Sequence, residues 1–367
     1  ILGSTTTSSE IAWFENNGSQ SFVKRVISEG FFGAWDLQIV DIDSDGDKDV
    51  IGTAFYGDDV AWFEFADVTA PTMTVSAHND GNSIVDGSST NDAVLNLIFT
   101  CSEITNNFVV GDITATGGSI SNFTAASSYV YKAVFTPSTS GSSKINVAAN
   151  SFTDQAQNSN TVASEFNWTY DGIAPTMTIT ASDGIITVND GSTTNNGLLY
   201  LTFTSSEPTT NFELEDISTT GGTISNFASS SSSVYFATFT PSVKGATTIS
   251  VSTNKFTDAV KNGNNATDQF NWIYDGEGPT MTITAASGSN TVLDGTTTND
   301  AFLILTFTSS EATSNFSISD IMISGGNLSS FIATSSTTYK ATFTPSKSGS
   351  TTIDVTANNF TDGAGNS

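Results

Sequence analysis

The chain has 367 residues, room for roughly two to four domains, and sets 10 Lys plus Arg against 37 Asp plus Glu for a net charge of −27. That balance excludes the basic footprint a nucleic-acid binder needs and leaves an acidic surface suited to cations or to self-repulsion. The single cysteine, Cys101, rules out a disulfide framework, and no apolar run approaches the ~18 residues of a spanning helix, so no membrane span is expected in this segment. The sequence opens at Ile1 with neither a methionine nor a signal peptide, which reads as an internal or processed piece of something longer.

In chain order, the first feature is a doublet. Ile11-Ala12-Trp13-Phe14-Glu15 returns as Val60-Ala61-Trp62-Phe63-Glu64, an offset of 49 residues that suits one four-stranded propeller blade. One blade cannot bury its own faces. Residues 1–66 are therefore expected to end a propeller whose other blades lie upstream, or to form a lone blade packed on a neighbour. Between the two halves of the doublet runs Asp41-Ile42-Asp43-Ser44-Asp45-Gly46-Asp47-Lys48-Asp49. Carboxylates at Asp41, Asp43, Asp45 and Asp49, with Gly46 for the sharp turn and the Asp47 backbone carbonyl, can wrap oxygens around one hard cation. An EF-hand would need a glutamate where this chain has Gly52, and strand-like flanks (37–40 and 50–55) stand where its helices would be. The segment resembles the calcium loop of FG-GAP/VCBS propeller blades, and the resemblance implies a bound Ca²⁺ that staples the loop.

From residue 67 onward one period governs the chain. Ala70-Pro71-Thr72-Met73-Thr74 returns 104 residues later from Ala174 and, with Gly278 in place of alanine, again from Gly278; Phe135-Thr136-Pro137-Ser138 returns from Phe239 and Phe343. A period near one hundred residues is a string of domains, too long for a solenoid repeat. The units are 67–170, 171–274 and 275–367. Within each, Leu95, Leu97 and Phe99 (and Leu199, Leu201 and Phe203) alternate with neighbours of the opposite face, the pattern of a half-buried strand. Tyr131, Ala133 and Phe135 mark a second strand, Ile145 and Val147 a third, and Phe166, Trp168 and Tyr170 a last one, with aromatics read as core. About seven short strands per hundred residues imply an all-β fold of immunoglobulin-like β-sandwiches in tandem, here following a partial β-propeller. The Ala-Pro-Thr start, Thr-Ser-Ser-Glu, Phe-Thr-Pro-Ser and Phe-Thr-Asp-x-Ala-x-Asn elements resemble those of bacterial-type Ig-like domains found in tandem in large surface adhesins. The third unit stops before its aromatic last strand, through truncation or because a neighbouring chain donates that strand.

Three acidic positions keep the same register: Asp67, Asp171 and Asp275 before each domain; Glu103, Glu207 and Glu311 after the second strand; Asp154, Asp258 and Asp362 in the Phe-Thr-Asp turn. In a sandwich of this topology the three loops meet at the end where the preceding domain attaches. Like charges gathered there repel, and a bound cation resolves the repulsion. Ca²⁺ is therefore expected at Asp67/Glu103/Asp154, Asp171/Glu207/Asp258 and Asp275/Glu311/Asp362, an arrangement that resembles the calcium-stiffened linkers of adhesin and cadherin arrays. Asp86 and Asp190, at the opposite end, are candidates to reach the following junction.

No enzymatic role is expected. The one histidine, His78, aligns with Ser182 and Ala286, and no histidine or lysine base recurs beside the many Ser and Thr hydroxyls. Seven sequons, at Asn17, Asn122, Asn167, Asn265, Asn315, Asn327 and Asn359, are compatible with a glycosylated secreted protein. The expectation is an extracellular, cell-surface structural or adhesive repeat protein, either a stalk or a subunit of an extracellular filament. Its partners would be copies of itself, other surface or matrix proteins, or glycans. The alternative is a ligand- or glycan-binding module of a large secreted adhesin or enzyme, with the Ig-like domains as spacer.

Overall fold

A computed structural model describes the whole chain except residues 6, 8, 17, 20 and 44–47. Its contacts divide it into two compact units, Ile1–Ile173 and Ala174–Ser367.

The first unit begins with two antiparallel three-stranded sheets. One joins β1 (Leu2–Thr5), β2 (Glu10–Asn16) and β3 (Phe22–Glu29); the other joins β4 (Ala34–Val40), β5 (Asp49–Ala54) and β6 (Asp59–Phe63). Where one four-stranded blade was expected, the described residues form three strands in each of two sheets. The doublet occupies β2, the centre of one sheet, and β6, the edge of the other, so the 49-residue offset spans parts of two sheets. A small core joins them through Ile11, Phe31, Ala34, Val50 and Ala54. Gly52 keeps its place because a Cβ there would stand 2.7 Å from Ile11 Cδ1.

The first repeat then folds as a two-sheet sandwich. Its strands are β7 (Met73–Asn79), β8 (Asn82–Ile84), β9 (Ser89–Thr90), β10 (Leu95–Cys101), β11 (Ile113–Thr116), β12 (Gly118–Ala125), β13 (Val130–Pro137), β14 (Gly141–Val147) and β15 (Phe166–Tyr170). One sheet runs β12-β13-β10-β7-β8 and the other β11-β14-β15-β9. On β10 the alternation read from the sequence buries Leu95, Leu97, Phe99 and Cys101 and turns Asn96 and Thr100 outward. These meet Ile145, Val147, Phe166 and Trp168 of the facing sheet, and Phe135 stands edge-on to Trp168 with ring centroids 4.7 Å apart. Burying each such aromatic contributes about 1.5–3 kcal/mol. Burial raises the Cys101 thiol above its usual range, consistent with a packing role shared with the buried Ser205 and Ser309 at the equivalent positions.

The Gly117-Gly118 pair, repeated at Gly221-Gly222 and Gly325-Gly326, has a steric reason. Gly117 has φ +81°, and a Cβ on Gly118 would stand 2.3 Å from the Thr136 carbonyl oxygen and 2.5 Å from Phe135 Cζ. No other residue lets the edge strand β12 approach so closely.

The second unit holds the other two repeats. The second repeat repeats the five-plus-four arrangement, with Phe270 and Trp272 in its core. The third has the five-stranded sheet, faced by a pair formed by Ile321–Ser324 and Thr352–Val355. Its core is correspondingly smaller, centred on Leu305, Phe307, Phe316, Tyr339 and Phe343.

Candidate functional site: carboxylate clusters at the domain junctions

The first and third sandwiches each direct three chain segments to the end where they join their predecessor. In the first repeat, Asp67 lies on the linker before β7, Glu103 just after β10, and Asp154 in the loop between β14 and β15. One carboxylate oxygen from each comes within 4.8 Å of the others. Asp154 is buried and Glu103 half-buried, with the Glu103 Oε2 atom shielded from solvent and lacking a hydrogen-bond partner. Burial pushes the Glu103 carboxyl above its usual range, and the adjacent Asp67 and Asp154 charges push the same way. An unpartnered acceptor among like charges is chemically matched to a hard cation that takes oxygen ligands.

The third repeat builds the same cluster. Asp275, Glu311 and Asp362 present oxygens within 4.8 Å of one another, and Asp275 and Asp362 are buried. Lys244, from the second repeat, places its Nζ 2.7 Å from Asp275 Oδ1 and 3.1 Å from Glu311 Oε1. The Asp275 carboxyl is held below its usual range chiefly by that ammonium, and the Lys244 ammonium is held correspondingly above its own. Of the middle set, Asp171 belongs to the first unit and Glu207 and Asp258 to the second. Asp258 is buried and held as its counterparts are, accepting N–H groups from Val260 and Asn262 at 2.9 and 2.8 Å.

The position that sequence reasoning left without a role is the asparagine closing the Phe-Thr-Asp-x-x-x-Asn turn. Asn158 donates its backbone N–H to Asp154 Oδ1 at 2.8 Å and its Nδ2 to Asp154 Oδ2 at 3.0 Å. The same Nδ2 donates to the Asp67 carbonyl at 2.9 Å. Asn366 repeats this on Asp362 and on the Asp275 carbonyl, at 2.9 and 2.8 Å. One side chain thus orients a buried carboxylate and moors the linker that carries its companion. The signal was present, since this asparagine keeps the 104-residue register; its partner across 91 residues was not readable.

The bacterial Ig-like domain family matches residues 67–170, 171–274 and 275–367. The chain belongs to that family. The FG-GAP-like repeat family matches residues 1–52. Solved structures that match the chain include the Escherichia coli adhesin FdeC (14% identity, TM-score 0.35, covering 79% of this chain and 93% of that one). Yersinia pseudotuberculosis InvD matches at 13% identity and TM-score 0.31, covering 80% and 87%. Invasin, a bacterial integrin-binding protein, matches at 15% and 0.29, covering 77% and 56%. Likeness at these values carries nothing about ligand or role. A comparison with curated protein sequences yields no match.

In the FG-GAP-like segment, Asp41, Asp43 and Asp49 bring oxygens within 4.8 Å of one another. Asp45 and Asp47 lie outside the described residues. Asp49 is fully buried and accepts the backbone N–H groups of Ile42 and Phe65 at 3.1 and 3.3 Å, so it ties the start of the loop to the chain just beyond β6. Asp86 and Asp190 do not join the clusters. Their carboxylates accept the Asn167 and Asn271 backbone N–H groups at 2.7 and 2.6 Å, pinning a turn against the last strand of the same domain. Of the sequon asparagines, Asn122, Asn265, Asn315, Asn327 and Asn359 are exposed, Asn167 is half-buried, and Asn17 lies outside the described residues. Among the described residues no helix is long and apolar enough to cross a membrane.

Proposed function

We propose that this chain is part of an extracellular, surface-exposed structural or adhesive protein whose tandem Ig-like domains are braced by calcium at their junctions. The observation that carries the reading is the recurring cluster: linker aspartate, loop glutamate and turn aspartate, gathered within 4.8 Å in the first and third repeats and present in register in the second. In the first repeat three like charges at that separation, with no paired lysine or arginine among the described residues, oppose the closed junction, and a divalent ion reverses the sign. Sites in extracellular modules typically bind calcium at ~10⁻⁴ to 10⁻³ M, a range filled outside cells and vacant inside them. The donor set suits calcium because it is all oxygen, supplied by carboxylates with backbone carbonyls nearby.

The test is calcium titration of the full chain by calorimetry, with scattering in calcium and in EDTA. Binding near millimolar affinity, with a longer and narrower distribution of solution dimensions in calcium, supports the reading. Identical melting and identical dimensions in both media refute it.

A specific observation favours a second role for the leading segment. Trp35, Phe55, Tyr56 and Phe32 are all more than half exposed and lie ring against ring, with Trp35–Phe55 centroids 5.6 Å and Phe55–Tyr56 centroids 5.2 Å apart. Such a face suits stacking on a glycan or covering by protein. A glycan array probed with the chain and with Trp35→Ala separates that role from a purely structural one.

A further inference from the structure

The two fully described junction clusters differ in one respect that the 104-residue register does not repeat. At the position where the second repeat has Lys244, the first has Ser140 and the third Ser348. Lys244 lies in the loop between the strands Val234–Pro241 and Gly245–Val251, and its ammonium reaches across to the third repeat. It pairs with Asp275 Oδ1 at 2.7 Å, Glu311 Oε1 at 3.1 Å and the exposed Glu277 Oε2 at 3.4 Å. Two of the three cluster carboxylates are therefore already bridged by a positive charge tethered to the preceding domain. Among the described residues no lysine or arginine forms an ion pair with Asp67, Glu103 or Asp154, whose preceding domain is the FG-GAP-like segment; Ser140, at the other end of the first repeat, accepts the Gly172 backbone N–H at 2.9 Å just after Asp171.

We propose that Lys244 is the resident cation of the junction between the second and third repeats, which it holds closed without calcium, while the first junction depends on the ion. An ammonium offers three donors and no lone pair, so it cannot join a calcium coordination shell as a ligand. It also repels a divalent ion brought against the same carboxylates, and must be displaced from Asp275 and Glu311 before they can bind one. The junctions of one array thus respond unequally to calcium, and in calcium-poor medium the first loosens while the third stays shut. This inference deepens the calcium reading above and rests on it for the first junction; the role of the lysine in EDTA stands on its ion pairs alone.

The experiment is hydrogen exchange of the full chain in EDTA and in calcium, following linker amides at 67–72 and 275–281, for wild type, Lys244→Ser and Lys244→Arg. Lys244 is on the surface, and Lys244→Ser installs what the first repeat already carries there. In wild type the 275–281 amides should exchange alike in both media. In Lys244→Ser they should exchange roughly three- to tenfold faster in EDTA, as expected for losing two well-formed ion pairs, and should slow again in calcium. Lys244→Arg should behave as wild type. A serine variant with wild-type exchange in EDTA overturns the proposal, as does a wild-type 275–281 linker that calcium slows as much as 67–72. If calcium slows neither linker in any variant, the calcium reading fails, and the EDTA comparison still decides whether Lys244 holds its junction.

Discussion

Replacing Glu103 by glutamine tests the electrostatics of the first junction, because it keeps the shape of the side chain and removes one charge. Without a divalent ion, the Glu103 carboxylate stands in a cluster with those of Asp67 and Asp154 whose nearest oxygens lie within 4.8 Å. At 4.8 Å and an effective dielectric constant of ~20, each pair of charges costs about 3.5 kcal/mol before solvent screening. Glu103 is half-buried, so solvent screening reduces the relief to about 1–2 kcal/mol. For a domain of this size that corresponds to a rise of roughly 4–12 °C in the first-repeat transition in EDTA. Calcium works in the other direction. At about 5 mM ion and a dissociation constant of ~10⁻⁴ to 10⁻³ M, binding stabilises wild type by about 1–2 kcal/mol, and the variant, having lost an anionic ligand, gains much less. Scanning calorimetry of both proteins in both media should therefore find Glu103→Gln above wild type in EDTA and the gap closing in calcium. If the variant melts below wild type in EDTA, or calcium raises both equally, the account of a repulsive cluster relieved by a cation is wrong.

Other outcomes follow from the same geometry. Asn158→Ala removes donors to a buried carboxylate and to a linker carbonyl and should cost about 2–4 kcal/mol, read as a lower melting transition of the first repeat; a loss below about 0.5 kcal/mol would mean the turn is merely solvated. The raised Glu103 carboxyl means the cation-free folded domain binds more protons than the unfolded chain. Its stability in EDTA should then increase as pH falls towards the ordinary carboxylate range, while calcium affinity at that junction weakens as the same proton competes, both measurable by calorimetry over a series of pH values. Asp49→Ala leaves the Ile42 and Phe65 amides without their acceptor and should cost the leading segment about 2–4 kcal/mol, seen as faster proteolysis within residues 1–66 while the Ig-like domains stay resistant.

The strands were legible because their physics is local. On β10, alternation alone separates Leu95, Leu97 and Phe99 from Asn96 and Thr100, and the side chains follow it into and out of the core. The leading segment was less legible: a doublet offset by 49 residues reports similar strands, and cannot say whether they share one sheet or lie in two, because sheet membership is decided by non-local pairing. Asp86 and Asp190 misled for a related reason. Periodicity marks a position that matters, and these two matter to a turn within their own domain.

Sequence alone determined the periodic acids, the family-like elements around them and the all-β character, since each depends on residue type at fixed spacing. Which oxygens meet was decided by the tertiary structure. Asn158 finds the Asp67 carbonyl 91 residues away, and Lys244, outside the register altogether, finds Glu311 67 residues on in the next domain. Contacts of that range depend on how two loops and a linker close over one another, and no spacing rule along the chain encodes that closure. The clusters are written in the repeat; the feature that makes one junction differ from the others is a side chain reaching across from its neighbour.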